Sequence, residues 1–410
     1  MTKKNTIKIG LIICCLLIGS LSSLTASEWP MDQGNNRHTG YVNPVSDFTT
    51  HTWSTQLNGS INSSMALSGK FLYVGTKEGN IHSLDTEDGS EEWNYETEGP
   101  IDGGIAVAGN QLFVGSNDCY FYSLNSETGT ENWKYNVGSA VKTTPALDTS
   151  KAYFGSDDGY VYALNRDNGA VVWKFKTDDA IKSSPTVDGN TVYIGSDDGN
   201  VYAIDAQTGV LKWKYTTGDN VQSSPSVQDN TVYIGSDDGN VYAIDTANGT
   251  ENWEYNVGSE VKAAPSIDIR QNSLYVGTQK GKLYSLDLRD GLKKWELNLG
   301  NGIETTPTIF GNNIAVGTNG GEVQMFNKFT GSQYWSYDPG YIILGGSIQS
   351  SPITSGASLF TASNDGYIYS LNTDLQEGPT STYTYYILAT LIILIGGAYT
   401  VRKLHKRKQE

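Results

Sequence analysis

The chain has 410 residues, with 46 Gly, 11 Pro and an aromatic content led by 26 Tyr. Abundant glycine turns between short aromatic segments favour an all-β protein over a helical one. Its 28 basic and 44 acidic residues give a net charge of −16, a surface that repels phosphate backbones and argues against nucleic acid as a partner.

In chain order, residues 1–27 come first. Lys3, Lys4 and Lys8 precede an apolar stretch over 9–21, and small residues occupy 22–27. This is the pattern of a signal peptide cleaved after Ala26 or Ser27, too short for a comfortable membrane span. Cys14 and Cys15 lie inside the apolar run, and Ile13 precedes Cys14 where a lipoprotein signal needs Gly or Ala, so lipidation is not expected. Residues 28–47 read as a lead-in segment.

The body of the chain, 48–373, is a repeat. Trp53, Trp93, Trp133, Trp173, Trp213 and Trp253 stand forty residues apart, and Trp295 and Trp335 come after them at 42 and 40. One sixteen-residue string, NTVYIGSDDGNVYAID, occurs at 190–205 and again at 230–245. A full unit, 183–215, divides at its turns into strands near 183–187, 191–195, 200–205 and 210–215. DGN at 188–190, DDGN at 197–200 and AQTG at 206–209 supply the glycines that tight turns need. A four-stranded antiparallel unit recurring every forty residues is a propeller blade. Second strands ending near Gly75, Gly115, Gly155, Gly195, Gly235, Gly277, Gly317 and Ala362 number eight. The eighth unit, 350–372, has three strands and no tryptophan, while FTTHTWSTQL at 48–57 is a tryptophan strand with no unit before it. The fragment from the start of the chain therefore completes the last blade, closing an eight-bladed β-propeller.

After a linker at 374–382, residues 383–401 are nearly all apolar, and the tail 402–410 carries Arg402, Lys403, Lys406, Arg407 and Lys408. About 19 residues at roughly 1.5 Å each nearly cross a membrane core, and the basic cluster belongs in the cytoplasm. The expected topology is a single-pass membrane protein with an extracellular propeller and a cytoplasmic C-terminus. Setting aside the eight basic residues and one acidic residue of the two ends leaves 20 against 43, a net of −23 for the exported part.

The repeat resembles a known family. AIDAQTGVLKW (203–213) matches the tryptophan-docking pattern A-x-D-x-x-T-G-x-x-x-W of the pyrroloquinoline-quinone (PQQ) repeat propellers, and AIDTANGTENW (243–253) lacks only the Thr. The lead-in WPMDQGNNRHTGY (29–41) is similar to a W…R-x-T-G segment that precedes such propellers. The resemblance covers roughly 29–372. It implies that Trp53, Trp93, Trp133, Trp173, Trp213, Trp253, Trp295 and Trp335 dock each blade against a glycine turn of its neighbour. The family includes quinoprotein dehydrogenases, which hold PQQ between a channel tryptophan and a disulfide of adjacent cysteines beside Ca²⁺. It also includes BamB-type propellers, which present loops and blade surfaces to protein partners.

The residues that such an enzyme needs are not apparent. Cys14 and Cys15 fall in the signal peptide, Cys119 stands alone, and every tryptophan except Trp29 has a docking role. His38, His51, His82 and His405 lack metal-ligand spacing. The DDG turns with Asp157 and Asp158, Asp197 and Asp198, and Asp237 and Asp238 read as hairpin chemistry rather than as calcium sites. No catalytic, cofactor-binding or metal residue is assigned, and no cofactor is expected. Asn58, Asn62 and Asn248 head glycosylation sequons. Candidate binding residues are those before each inner strand: Asn62, Asp102, Lys142, Lys182, Gln222, Lys262, Glu304 and Gln349. Placed around the channel mouth, they would give an arc of three lysines able to attract an anionic ligand. One turn position holds Gly79, Gly159, Gly199, Gly239, Gly281, Gly321 and Gly366 but Cys119 in the second unit, so Cys119 is expected at positive φ. The expected function is that of a non-catalytic cell-surface scaffold for protein partners. The alternatives are a receptor or adhesin taking a small ligand or glycan at the channel mouth, and a PQQ-dependent dehydrogenase.

Overall fold

The computed structural model describes residues 41–42, 48–337, 346–356 and 358–373. The expected signal peptide at 1–27, most of the expected lead-in, the expected linker at 374–382, the apolar segment 383–401 and the basic tail 402–410 lie outside the described residues. Among the described residues no helix is long and apolar enough to cross a membrane.

Alternating apolar and polar residues between glycine turns fold each repeat into one antiparallel sheet. The described residues form eight, blades 1 to 8 in the order of their second strands, which end at Gly75, Gly115, Gly155, Gly195, Gly235, Gly277, Gly317 and Ala362. Blade 4 is typical: its strands are Thr186–Asp188, Thr191–Gly195, Asn200–Asp205 and Leu211–Thr216. The innermost strand starts three residues later than the sequence suggests. Pro185 has no N–H for a ladder, and the hydroxyl of Ser183 instead accepts from Gly195 N at 3.0 Å. The next residue, Ser184, accepts at 2.9 Å from the backbone N of Thr144 in blade 3, and Ser184 N donates to the Ser224 hydroxyl of blade 5 at 3.0 Å. The Ser-Ser-Pro lead-in is thus an inner belt that ties blade to blade, and the first strands of blades 1 to 7 are successive neighbours around the axis.

The apolar core lies between blades. One cluster joins Tyr193, Val201 and Trp213 of blade 4 to Val232, Ile234, Tyr242 and Ile244 of blade 5. In all eight blades the ladder between the third and fourth strands slips by one residue just before the tryptophan, as between Ala203 and Ile204 opposite Trp213. This bulge turns the fourth strand locally.

The ring closes as the repeat arithmetic requires. Phe48–Gln56 pairs antiparallel with Tyr367–Thr373, placing Trp53 opposite Ser370, and Leu57 N donates to Gly366 O at 2.8 Å. The Trp53 ring lies 5.8 Å from Phe360 of the same blade. Two features depart from a plain eightfold pattern. Tyr41–Val42, inside the expected lead-in, is a fifth strand of blade 7 and runs parallel to its innermost strand, with Tyr41 opposite Ile309. The free inner edge of that strand makes the pairing possible. In blade 6 the two extra residues between Trp253 and Trp295 are taken up by a one-turn 3₁₀ segment, Ile269–Gln271, capped by the Asp268 carboxylate and ended by Asn272 at φ 50°.

Candidate functional site

The docking residues come first, because they fix where everything else stands. Seven indole N–H groups donate to a carbonyl of the next blade. Trp53 binds Thr86 O at 3.1 Å, Trp93 binds Ser126 O at 3.0 Å, and Trp133 binds Arg166 O at 2.9 Å. Trp173, Trp213, Trp253 and Trp295 bind Ala206, Thr246, Leu288 and Lys328 in the same way at 2.8–3.2 Å. A glycine three residues beyond each of these carbonyls lies under the indole. At Gly249, held at φ +72°, a Cβ would come within 2.7 Å of the Trp213 ring. The side chain of Trp335 lies outside the described residues.

The second element is the DDG turn. Its second Asp acts as a clasp: Asp198 accepts from the Tyr202 hydroxyl at 2.6 Å, from Asn200 N at 2.9 Å and from Asp178 N of the previous blade at 3.0 Å. Asp238 repeats this with Tyr242, Asn240 and Gly218 at 2.6, 2.8 and 2.7 Å. Burial pushes the Asp198 carboxyl up, but the donors around it outweigh burial and hold it below the usual carboxylate range. Tyr202 is pushed up by burial and by its bond to that carboxylate. Cys119 replaces the glycine of this turn and adopts φ 75°, beside 74° at Gly159 and 78° at Gly199.

The eight candidate residues each lie in the loop entering an innermost strand. The second strand runs antiparallel to the first, so the second residue after it lies at the same end of the blade. That brings a second set of residues beside the first, which the sequence assigns to turn chemistry or leaves unmarked: Lys77, Asn117, Asp157, Asp197, Asp237 and Asn319 among them. Lys142 Nζ lies 2.5 Å from Asp157, and Lys182 Nζ 2.6 Å from Asp197. Asp102 takes Lys77 at 2.6 Å and the Asn117 amide at 2.8 Å. Glu304 receives the Asn319 and Gln349 amides, both at 3.1 Å, and Lys262 lies 3.2 Å from Glu260. Each lysine of the arc therefore has an acid beside it. The signal for the second set was a constant offset, for Asp157, Asp197, Asp237 and Asn319 all stand fifteen residues after their ring partners.

Blade 5 breaks the rule. Position 222 is Gln, and its amide turns back to Asp197 of blade 4 at 2.9 Å. Asp237 is left without a direct partner on Oδ1 among the described residues. Burial, with Glu260, Asp219 and Asp197 nearby, pushes its carboxyl up against the pull of Lys262. Buried polar atoms without a protein partner also occur at Asn62, Asn117, Asp157 and Gln279, all in these two sets.

The residues described do not fit a quinone site of the dehydrogenase kind. Seven indoles are pinned between blades, and Cys119 is the one cysteine among the described residues. No group of three or more His, Cys, Asp or Glu among them could hold a metal ion.

Inter-blade tryptophans, closing strand and repeat together define the class: this is a PQQ-repeat β-propeller. The chain belongs to the family described as the beta-propeller of beta-alanine-activating enzyme, whose profile matches residues 166–394. A second profile, described as outer membrane protein assembly factor BamB, matches residues 40–174. Among solved structures the chain is similar to BamB from Moraxella catarrhalis, with a TM-score of 0.69 at 21% identity over 79% of this chain and 99% of that one. It is also similar to quinohemoprotein alcohol dehydrogenase from Comamonas testosteroni, with a TM-score of 0.72 at 15% identity over 84% and 80%. A europium-containing methanol dehydrogenase gives 0.75 at 13% identity over 84% and 98%. At these identities the likeness is one of fold. A comparison with curated proteins returns no match.

Proposed function

We propose that this chain is a non-catalytic scaffold that presents a propeller to protein partners on the outer face of a cell membrane, anchored by the helix expected at 383–401 with its tail inside. One observation carries the reading. The positions repeated from blade to blade, tryptophans, clasp acids and belt hydroxyls, are engaged in holding the ring together, and the variation between blades falls on the mouth and the outer rim. Variation at exposed positions on a constant frame is the arrangement of an interaction surface. The likeness to BamB is consistent with protein partners. The likeness to PQQ dehydrogenases keeps enzymatic activity as the competing reading, and the pinned indoles weigh against it.

Proximity labelling from the propeller on intact cells is the direct test: a reproducible set of surface neighbours is expected, and its absence would sink the scaffold. Adding PQQ and Ca²⁺ to the purified protein should give no dye-linked alcohol oxidation. Protease added to intact cells should shave the propeller and leave the tail. A second reading has its own support in the unpartnered polar atoms of the mouth: a small polar ligand or glycan bound there would satisfy them.

A further inference from the structure

The outer strands of blades 1 to 6 can be compared position by position. They read EEWNYE, ENWKYN, VVWKFK, LKWKYT, ENWEYN and KKWELN. Those of blades 3 and 4 alone combine lysines with no acidic residue, since the outer strands of blades 7 and 8, QYWSY and FTTHTWSTQ, carry neither acids nor lysines, in a protein whose net charge is −16. They also expose apolar side chains: Val171 is 40% exposed, Val172 46%, Val210 63% and Leu211 39%. The two stretches abut, because Gly209, next to Val210, lies under the indole of Trp173.

Each of these strands is the outermost of its sheet, with a neighbour on one side only. Its other edge offers backbone donors and acceptors to an added strand. Alternation then decides what such a strand must carry. In blade 3, Lys174 and Lys176 lie on one face and Trp173 and Phe175 on the other; in blade 4, Lys214 is opposed to Trp213 and Tyr215 in the same way. Lys174 and Lys214 are exposed, and Lys174 Nζ lies over the Tyr160 ring at 4.7 Å. A segment placed alongside meets lysines on one face and, on the other, Val171 and Phe175 of blade 3 or Leu211 and Tyr215 of blade 4, the indoles between them being covered by the next blade. In blade 5 the same register offers Glu254, which repels what Lys214 attracts.

We infer that the rim of blades 3 and 4 is a docking edge for an extended protein segment in which acidic and apolar residues alternate, bound as an added strand. This rests on the scaffold reading and names its surface and the chemistry of its partner.

The probe is a fluorescein-labelled peptide of alternating Val and Glu, titrated by anisotropy into the full-length protein in detergent. Binding is expected, along with slowed amide exchange over 171–176 or 211–216. The double substitution Lys174→Glu and Lys214→Glu should weaken it on the order of tenfold or more, whereas Lys134→Glu on blade 2 should not. If the double variant melts lower than the parent, the milder Lys174→Gln with Lys214→Gln carries the same comparison. Equal binding by parent and variants, no protection of the outer strands, or lysine-dependent binding to phosphatidylglycerol vesicles in place of the peptide would overturn the inference. Repeating the surface labelling with the double variant separates the two levels. An unchanged set of neighbours removes this edge and leaves the scaffold standing, while no neighbours even for the parent removes the scaffold itself.

Discussion

Blades 4 and 5 share sixteen consecutive residues, yet they face the solvent differently. Their shared text builds the same second and third strands and the same Asp198 and Asp238 clasps. In the loops entering the inner strands, however, blade 4 pairs Lys182 with Asp197, while blade 5 has Gln222 and an Asp237 with no direct partner on Oδ1 among the described residues. At the rim, blade 4 carries LKWKYT and blade 5 ENWEYN. The copied part is internal to the ring and obeys one packing rule. What differs is exposed, and that is where one blade can be told from another by a partner.

The largest effects should come from breaking what is copied. Trp213→Ala in mid-ring and Trp53→Ala at the closure each remove a buried indole and its inter-blade bond, costing about 3–5 kcal/mol in chemical denaturation. Near-equal losses would say that closure obeys the same rule as any other blade junction. Deleting residues 48–57 should be worse than either, because it bares the edge of Tyr367–Thr373; aggregation in sedimentation experiments is the expected result, and a soluble monomer with unchanged melting would refute the closure.

The clasps come next. Tyr202→Phe and Tyr242→Phe should each cost about 1–2 kcal/mol, the loss of a hydrogen bond to a carboxylate, and by similar amounts because the two turns are copies. Asp198 has a depressed pKa, so its stabilising contribution is complete above the ordinary Asp range and is lost as pH falls through its lower folded value. Tyr202→Phe should therefore move the Asp198 carboxyl titration upward in NMR and reduce that acid-dependent loss.

A smaller effect is expected where one copy deviates. Cys119 holds φ 75° in a turn that uses glycine in the other blades, and Cys119→Gly should stabilise by about 1 kcal/mol through relief of strain. An unchanged or lower melting temperature would mean that the thiol contributes contacts that offset the strain.

The smallest effect sharpens the contrast in the loops entering the inner strands. Gln222→Lys would give blade 5 the pair of blade 4, with a gain of at most about 0.5 kcal/mol for a partly exposed pair. Its cleaner readout is the titration of Asp237. A raised carboxyl pKa means that the acid disfavours the fold as pH rises from the ordinary Asp value through the raised one. Gln222→Lys should lower that pKa and remove the disadvantage, and an unmoved titration would place residue 222 away from Asp237.

The frame was legible in the amino acids alone: the blade count, the strand order, the closing segment, the seven described docking indoles and even the positive φ of Cys119. All of these depend on local turn chemistry and on a period, and both can be read along one line of text. That the eight candidate residues share the loops entering the inner strands was legible too, since register places them. What those positions meet was not. That Lys142 and Lys182 are neutralised, that Gln222 reaches back to blade 4, and that Tyr41–Val42 joins the innermost strand of blade 7 depend on which chain segments lie side by side around the axis. The same holds for the bulge before each tryptophan and for the joining of two apolar rims across blades 3 and 4. A repeat specifies its own packing because every copy sees the same neighbour, whereas a surface charge is paired or free according to distances of a few ångströms between residues far apart in the chain.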